Sequence, residues 1–435
     1  LKMKLEIEVL SKEIIKPSSP TPNHLRHYKL SFLDQISPPV YHPFILFYPT
    51  DFESKLSNLE KYNLLKQSLS EVLEYYYPLA GRIKDNRFVD CNDEGILYFQ
   101  AKVSCKLSLV LENPVPTEMK KLLPFELDEA QELPLGVQFN VFECGGICIG
   151  LCISHKIADA LSCLTFMKNW AKITCGDEDI VRQEFISDTV FPQKDISGYN
   201  PANGISKETV ATKKFLFSAN SVQSLRENYA ARTSSDNQKP PSRIEALSVF
   251  IWSRFMAAKS EKDLRNPNLC LMLHAVNLRP RMDPPFPENS FGNYSGFAIT
   301  IPPVDYDEER YGFIRQMRDS IRKIDKEHVK KLQDGNEHLD FIKGKAEMFM
   351  KGEMSTLSFT SLCRFPLHEA NFGWGKPVWV GAPSLTFNNL VLLVDAAFGD
   401  GIEAVIHLKE EDMVRLQEDR ELLQYVTCYS LRSKI

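Results

Sequence analysis

Strand-like and helix-like hydrophobic patterns alternate through both halves of the 435-residue chain, which predicts an α/β protein. The length exceeds what one hydrophobic core usually fills, so two domains are expected. A stretch with little periodicity, carrying Pro192, Gly198, Pro201 and Gly204, separates the two patterned halves. These observations divide the chain into an N-terminal domain over 3–187, a crossover linker over 188–210 and a C-terminal domain over 211–435.

Apolar and charged residues alternate from Leu5 to Ile15 as in a half-buried strand, and the prolines at 17, 20 and 22 end it, which reads as an edge strand followed by a rigid loop. From Leu56 to Tyr76 the apolar residues Leu59, Tyr62, Leu65, Leu69, Val72, Leu73 and Tyr76 recur every three or four positions, predicting an amphipathic helix that ends before Pro78. Gly136 to Ser154 is nearly continuously apolar around Gly145-Gly146, the pattern of a hairpin leading into a strand buried on both faces. Leu161, Leu164, Met167, Trp170 and Ala171 return to helical spacing, with a stop at Gly176. In the second half, helices are expected at Ser242 to Lys259 and between Tyr311 and Phe349. Strands are expected at Leu269 to Val276, Gly296 to Ile301 and Leu390 to Ala397.

The composition is that of an ordinary globular protein, 43% hydrophobic and 25% charged. A net charge of -5 with scattered basic residues argues against nucleic acid as a partner. The longest apolar runs fall far short of the ~20 residues that cross a bilayer. Ten cysteines without a C-x-x-C pair, and no signal-like leader, read as a reduced, cytoplasmic chain.

His155 and Asp159 form the chain's one H-x-x-x-D, placed where a buried strand gives way to a helix. A histidine there can take a proton from an alcohol near neutral pH. Asp159 either orients the imidazole as in a triad or caps the helix and pairs with a distant arginine; its place just before Ala160 favours the structural role. Cys144, Cys148 and Cys152 would stand roughly 13 Å apart along a strand, too far for one ion to bridge, so no metal is expected. No G-x-S-x-G, G-x-G-x-x-G or Walker loop supports a serine hydrolase, a dinucleotide enzyme or a P-loop enzyme. Phe372 to Pro377 sets Gly373 and Gly375 around Trp374, which calls for a tight turn and a buried indole. Asn277-Leu278-Arg279-Pro280-Arg281 ends an apolar strand, and its arginines can be solvated, hold phosphates or anchor a carboxylate such as Asp159.

Five separated motifs, in order, resemble the plant BAHD acyltransferases along essentially the whole chain: Ile15 to Pro22, Leu30 to Gln35, Tyr77 to Arg82, His155 to Asp159 and Asn371 to Pro377. Asp90 to Asp93, Phe142 to Gly146 and Cys363-Arg364 resemble the family's alkaloid-acetylating branch. The resemblance implies two similar chloramphenicol-acetyltransferase-like domains, each a mixed β-sheet with flanking helices, with the active-site channel between them. It also implies acetyl-CoA as co-substrate, with no tightly bound cofactor, a small-molecule alcohol as acceptor and a monomeric protein. His155 would act as general base in direct acyl transfer, Asp159 would pair with Arg279, and Thr360 would donate to the oxyanion. Asn371, Gly373, Trp374 and Gly375 would support the site as a structural turn. Where the family commonly has aspartate and tryptophan, this chain has Asn371 and Leu362, which implies a differently anchored turn and a wider channel. A rival reading is a scaffold that binds a metabolite without transferring acyl groups, or one that assists a cyclisation or elimination.

Overall fold

The protein was analysed as a computed structural model describing residues 4–50, 56–129, 132–177, 179–205, 210–230, 239–259, 269–302, 310–397 and 399–427. The strands, in chain order, are β1 (Ile7–Ile15), β2 (His27–Lys29), β3 (Tyr41–Tyr48), β4 (Arg82–Lys84), β5 (Phe88–Asp90), β6 (Ile96–Val103), β7 (Leu135–Phe142) and β8 (Ile147–Ser154). They continue with β9 (Val210–Phe217), β10 (Leu269–Asn277), β11 (Ser295–Thr300), β12 (Met354–Ser361), β13 (Trp379–Gly381), β14 (Leu390–Asp395), β15 (Ile402–Lys409) and β16 (Val426–Thr427). Two mixed sheets dominate, one in the order β1-β6-β7-β8-β3-β13 and one in the order β11-β10-β12-β14-β15-β9-β16, beside a small β2-β5-β4 sheet.

The apolar run that predicts a doubly buried strand forms β8, in which every residue is buried between β7 and β3. Gly150 is required there, because a Cβ would come within 2.0 Å of the Leu122 carbonyl oxygen packed against the strand. β1 lies at the edge of its sheet, as its charged alternation predicts. Helix Asn58–Tyr75 begins on a capping box in which Ser57 and Glu60 satisfy each other's backbone N–H groups. Its apolar stripe of Leu65, Leu69, Val72 and Leu73 enters the first core with helix Ala160–Thr174, and Trp170 Nε1 donates to Ser68 Oγ at 3.0 Å. The helical pattern between Tyr311 and Phe349 resolves into three helices, Arg310–Arg322, Lys326–Asp334 and Glu337–Met350. Asp325 caps the second of these, and Gly335 follows it.

Sequence periodicity does not pick out β12 and β15, although they form the middle of the second sheet. Thr356, Ser358 and Thr360 of β12 face a cavity, while Leu357 and Phe359 enter the second core. Hydroxyls on one face hide the strand's burial from a hydrophobicity count. Short strand β13 belongs to the second half by sequence but pairs with β3 of the first sheet, with Trp379 opposite Phe47 and their rings stacked at 5.3 Å. The segment before it also sits in the first core, through Leu362, Leu367, Phe372 and Trp374. The connection after helix Ser187–Val190 runs past the first half, where Lys194 N donates to Gln35 Oε1 at 3.0 Å.

Candidate active site

A cavity of about 1250 Å³ lies between the cavity face of the second sheet and the β3 and β8 end of the first. It is lined by His155, Thr360 and Leu362 among others. His155 follows the last residue of β8, and its backbone N–H donates to the Val40 carbonyl at 2.9 Å. Five residues on, helix Ala160–Thr174 begins.

Asp159 does not touch His155. Its carboxylate accepts from Arg279 through Nη1 at 2.7 Å and Nη2 at 3.1 Å, from Ser162 N at 2.9 Å and from Tyr294 N at 3.0 Å. It is thus the N-cap of the helix and one half of a buried bidentate ion pair. Burial pushes the Asp159 carboxyl up, but the Arg279 guanidinium and the backbone donors outweigh this and hold it below the ordinary carboxylate range. Arg279, 2% exposed, also donates to the Ser290 carbonyl at 2.8 Å from Nη2 and to Ser162 Oγ at 3.0 Å. This geometry joins Asp159 to Arg279 and to the helix N-terminus, with no hydrogen bond to the His155 ring.

His155 is oriented by a different residue. Nδ1 lies 3.0 Å from Asn293 Oδ1. Asn293 Nδ2 donates to Asp34 Oδ1 and to the His155 carbonyl, both at 2.8 Å, so its Oδ1 is the acceptor and the Nδ1 of His155 carries the proton. Nε2 is left with its lone pair. Asp34, fully buried, also accepts from Asn293 N at 3.1 Å, Ser31 N at 2.8 Å and Ser31 Oγ at 2.7 Å, so the chain Asp34–Asn293–His155 is anchored at its far end. Burial lowers the pKa of His155 below the ordinary histidine value, opposed by the charge of Asp159 and the Asn293 hydrogen bond, which keeps the ring neutral near pH 7.

Two neighbours complete the surroundings. The His42 ring lies 4.1 Å from that of His155, tilted by 45°. Lys156, buried beside the base, donates to the carbonyls of Gln35 at 2.9 Å and Ser37 at 2.7 Å, and burial pushes its ammonium down to about 7. Thr360 stands on β12 opposite Leu392 of β14, with its hydroxyl on the cavity face.

The turn from Asn371 to Gly375 lies away from the cavity. Asn371 Oδ1 accepts from Gly373 N at 2.9 Å and Gly375 N at 3.0 Å, and both glycines have positive φ, 101° and 95°. Trp374 is buried against Phe372 and Tyr48. The side chain at 371 acts through an oxygen acceptor, which asparagine supplies as well as aspartate does. Leu362 contributes to both the cavity wall and the first core.

Comparison with known proteins identifies the family and the fold. A model of the transferase family matches residues 5–423. The chain belongs to the BAHD transferase family. It is 38% identical to stemmadenine O-acetyltransferase of Catharanthus roseus over 423 residues, covering 95% of this chain and 97% of that protein. It is 36% identical to a limonoid 21-O-acetyltransferase of Melia azedarach, covering 97% and 99% respectively. The solved structure of vinorine synthase superimposes with a TM-score of 0.83 at 34% identity, covering 97% of this chain and 98% of that one. This BAHD chain is an acyl-CoA-dependent acyltransferase.

Of the residues singled out from sequence, the fold brings His155 and Thr360 to one cavity and sets Asp159 and Arg279 together behind it. Trp374 enters the first core, while Asn371, Gly373 and Gly375 form the exposed turn that carries it. Sequence reasoning missed Asn293, Asp34, His42 and Lys156. Asp34 lies inside the Leu30-to-Gln35 motif that carries the family resemblance, which was the available signal. Asn293 sits 138 positions from the ring it orients, so no local pattern points to it.

Proposed function

We propose that the chain transfers an acetyl group from acetyl-CoA to a hydroxyl of a ring-fused specialised metabolite, an alkaloid or a comparably sized polycyclic alcohol. The observation that carries this reading is the tautomer imposed on His155, which presents a neutral Nε2 lone pair on the wall of a cavity large enough for both substrates. Nε2 takes the hydroxyl proton as the oxygen attacks the thioester carbonyl. The carbonyl π electrons move onto oxygen, where the Thr360 hydroxyl donates to the developing charge. Collapse of the tetrahedral intermediate expels the thiolate of coenzyme A, and His155 returns the proton to it. One ester forms, one thioester breaks, and no covalent acyl-enzyme is needed. Asp159 and Arg279 hold the loop that carries the base.

The relatives act, by their names, as O-acetyltransferases on stemmadenine and on limonoids, which supports a hydroxyl of a specialised metabolite as the acceptor. Residues 3–187 and 211–435 are proposed as the two domains, joined over 188–210, with the β13 segment reaching back across. Nine described cysteines are thiols, which supports the cytoplasm as the working compartment.

The test mixes purified protein with acetyl-CoA and a panel of polycyclic alcohols, following free thiol and product mass, with His155→Ala as control. Thiol release matched by acetylated product, and lost in the variant, is expected. An altered substrate without thiol release would instead favour a non-transferring reaction on this scaffold.

A further inference from the structure

Six of the nine histidines, His42, His155, His328, His338, His368 and His407, line the same cavity. Burial holds every one of them below the ordinary histidine pKa, His338 at about 4 and His407 at about 3. The wall therefore offers neutral imidazoles at physiological pH. Among the described residues, the buried ring nitrogens His42 Nε2, His368 Nε2 and His407 Nε2 have no hydrogen-bond partner.

The carboxylates of the same wall are engaged. Asp395 lies 3.3 Å from Arg243 and accepts from the Arg364 backbone N–H. Glu403 lies 3.4 Å from Lys214, and Asp412 is 2.6 Å from both Lys259 and Arg415. Among the described lining residues the remaining carboxylate is Glu411, exposed in the first turn of helix Glu410–Gln417. It lies six positions beyond Val405, the β15 residue opposite the Leu392 that pairs with Thr360. The rim is aromatic: Phe297, Phe341 and Phe349 are 54%, 45% and 42% exposed. The ammonium of Lys345 already lies 5.6 Å from the centre of the Phe341 ring.

We propose that this cavity selects its acceptor in the uncharged form, a ring-fused alcohol carrying further neutral oxygens, and discriminates against one carrying an ammonium group. Carbonyl and hydroxyl oxygens can exchange hydrogen bonds with neutral imidazoles and with the Thr356 and Ser358 hydroxyls, while the ring skeleton covers the exposed aromatic faces. An ammonium entering the same space loses its water without gaining a buried anion, since Asp395, Glu403 and Asp412 are paired and Glu411 stands exposed to water. Aromatic faces can attract a cation, but a lysine already stands at Phe341. An alkaloid acceptor would enter as its free base. This inference rests on the acyltransferase reading of the site.

The test measures binding to the wild-type protein without acyl donor, by quenching of tryptophan fluorescence, since Trp379 lines the cavity. Three probes share one skeleton and one hydroxyl: androsterone, the same alcohol lacking its ketone, and the same alcohol with a dimethylamino group in the ketone's place. Near neutral pH the amine is expected to bind at least about tenfold more weakly than androsterone, with the deoxy compound between them. Phe297→Glu, which places a carboxylate at the rim on β11, should recover amine binding by about tenfold. Equal or tighter binding of the amine by wild type, no recovery in the variant, or no binding of any probe would overturn the inference. Adding acetyl-CoA and following thiol release scores the transfer reaction separately. Charge-selective binding without any thiol release would sink the proposed acetyl transfer to ring-fused alcohols of this kind and leave the charge preference standing.

Discussion

In the proposed mechanism, which nitrogen of His155 meets the acceptor is decided by Asn293, whose amide nitrogen is committed to Asp34 and to the His155 carbonyl. Removing the base, His155→Ala, should lower turnover by about 100- to 10,000-fold with the circular-dichroism spectrum and melting temperature little changed. Asn293→Ala should leave acyl-CoA binding intact and lower kcat by up to about 100-fold, because the ring loses its orientation and tautomer. The pH profile supplies a second readout. The base works only when neutral and its folded pKa is lowered, so activity is lost as pH falls through a value below the ordinary histidine pKa of about 6.5. The Asn293 hydrogen bond raises that pKa, so the variant's acid limb should lie lower still. An unchanged profile and kcat would remove Asn293 from the machinery. The histidine was legible in the sequence because H-x-x-x-D at a strand-to-helix junction is local. Asn293 and Asp34 were not, because their link to His155 spans more than a hundred positions.

At the scale of the element, the β8-to-helix connection is fixed by Asp159, which caps helix Ala160–Thr174 and pins it to Arg279 after β10. Asp159→Asn strands a buried guanidinium and should cost about 3–5 kcal/mol of stability, seen in denaturant unfolding, with activity falling as the loop loosens. The sign with pH follows from the depressed carboxyl. Its contribution is full above the unfolded pKa of about 3.9 and is lost as pH falls through the lower folded value, so the variant should show weaker acid destabilisation than wild type. A large rate loss at unchanged stability would instead revive a triad-like role. The turn at Asn371 is a milder case. Asn371→Ala removes the acceptor of two backbone N–H groups, and about 1–3 kcal/mol of stability should go with it while the catalytic rate changes little. Helix Asn58–Tyr75 and strand β8 were readable from periodicity alone, since each buries a continuous apolar face. The alternating hydroxyls of β12 point into the cavity, and that same polarity kept the strand from being recognised.

Across the whole molecule, the two sheets are locked by a segment that belongs to one half in sequence and to the other in space. Trp379 of β13 is buried, stacks on Phe47 and receives the Lys214 ammonium on its ring at 4.7 Å. Trp379→Ala should destabilise the protein by about 3–5 kcal/mol, measured as a lower unfolding midpoint, because it empties the contact through which β13 holds the first sheet. A midpoint within error of wild type would show that the crossing strand contributes little to the lock.

Sequence alone determined the α/β class, the main amphipathic helices, the buried hairpin, the candidate base and the family, because each is written in local spacing or in short ordered motifs. Tertiary structure decided the rest. It turned Asp159 away from His155 and onto Arg279, supplied Asn293 as the orienting residue, gathered six histidines around one cavity and carried β13 into the first sheet. These outcomes depend on pairings between residues far apart in the chain, where burial and hydrogen-bond satisfaction select partners that no short window of sequence contains.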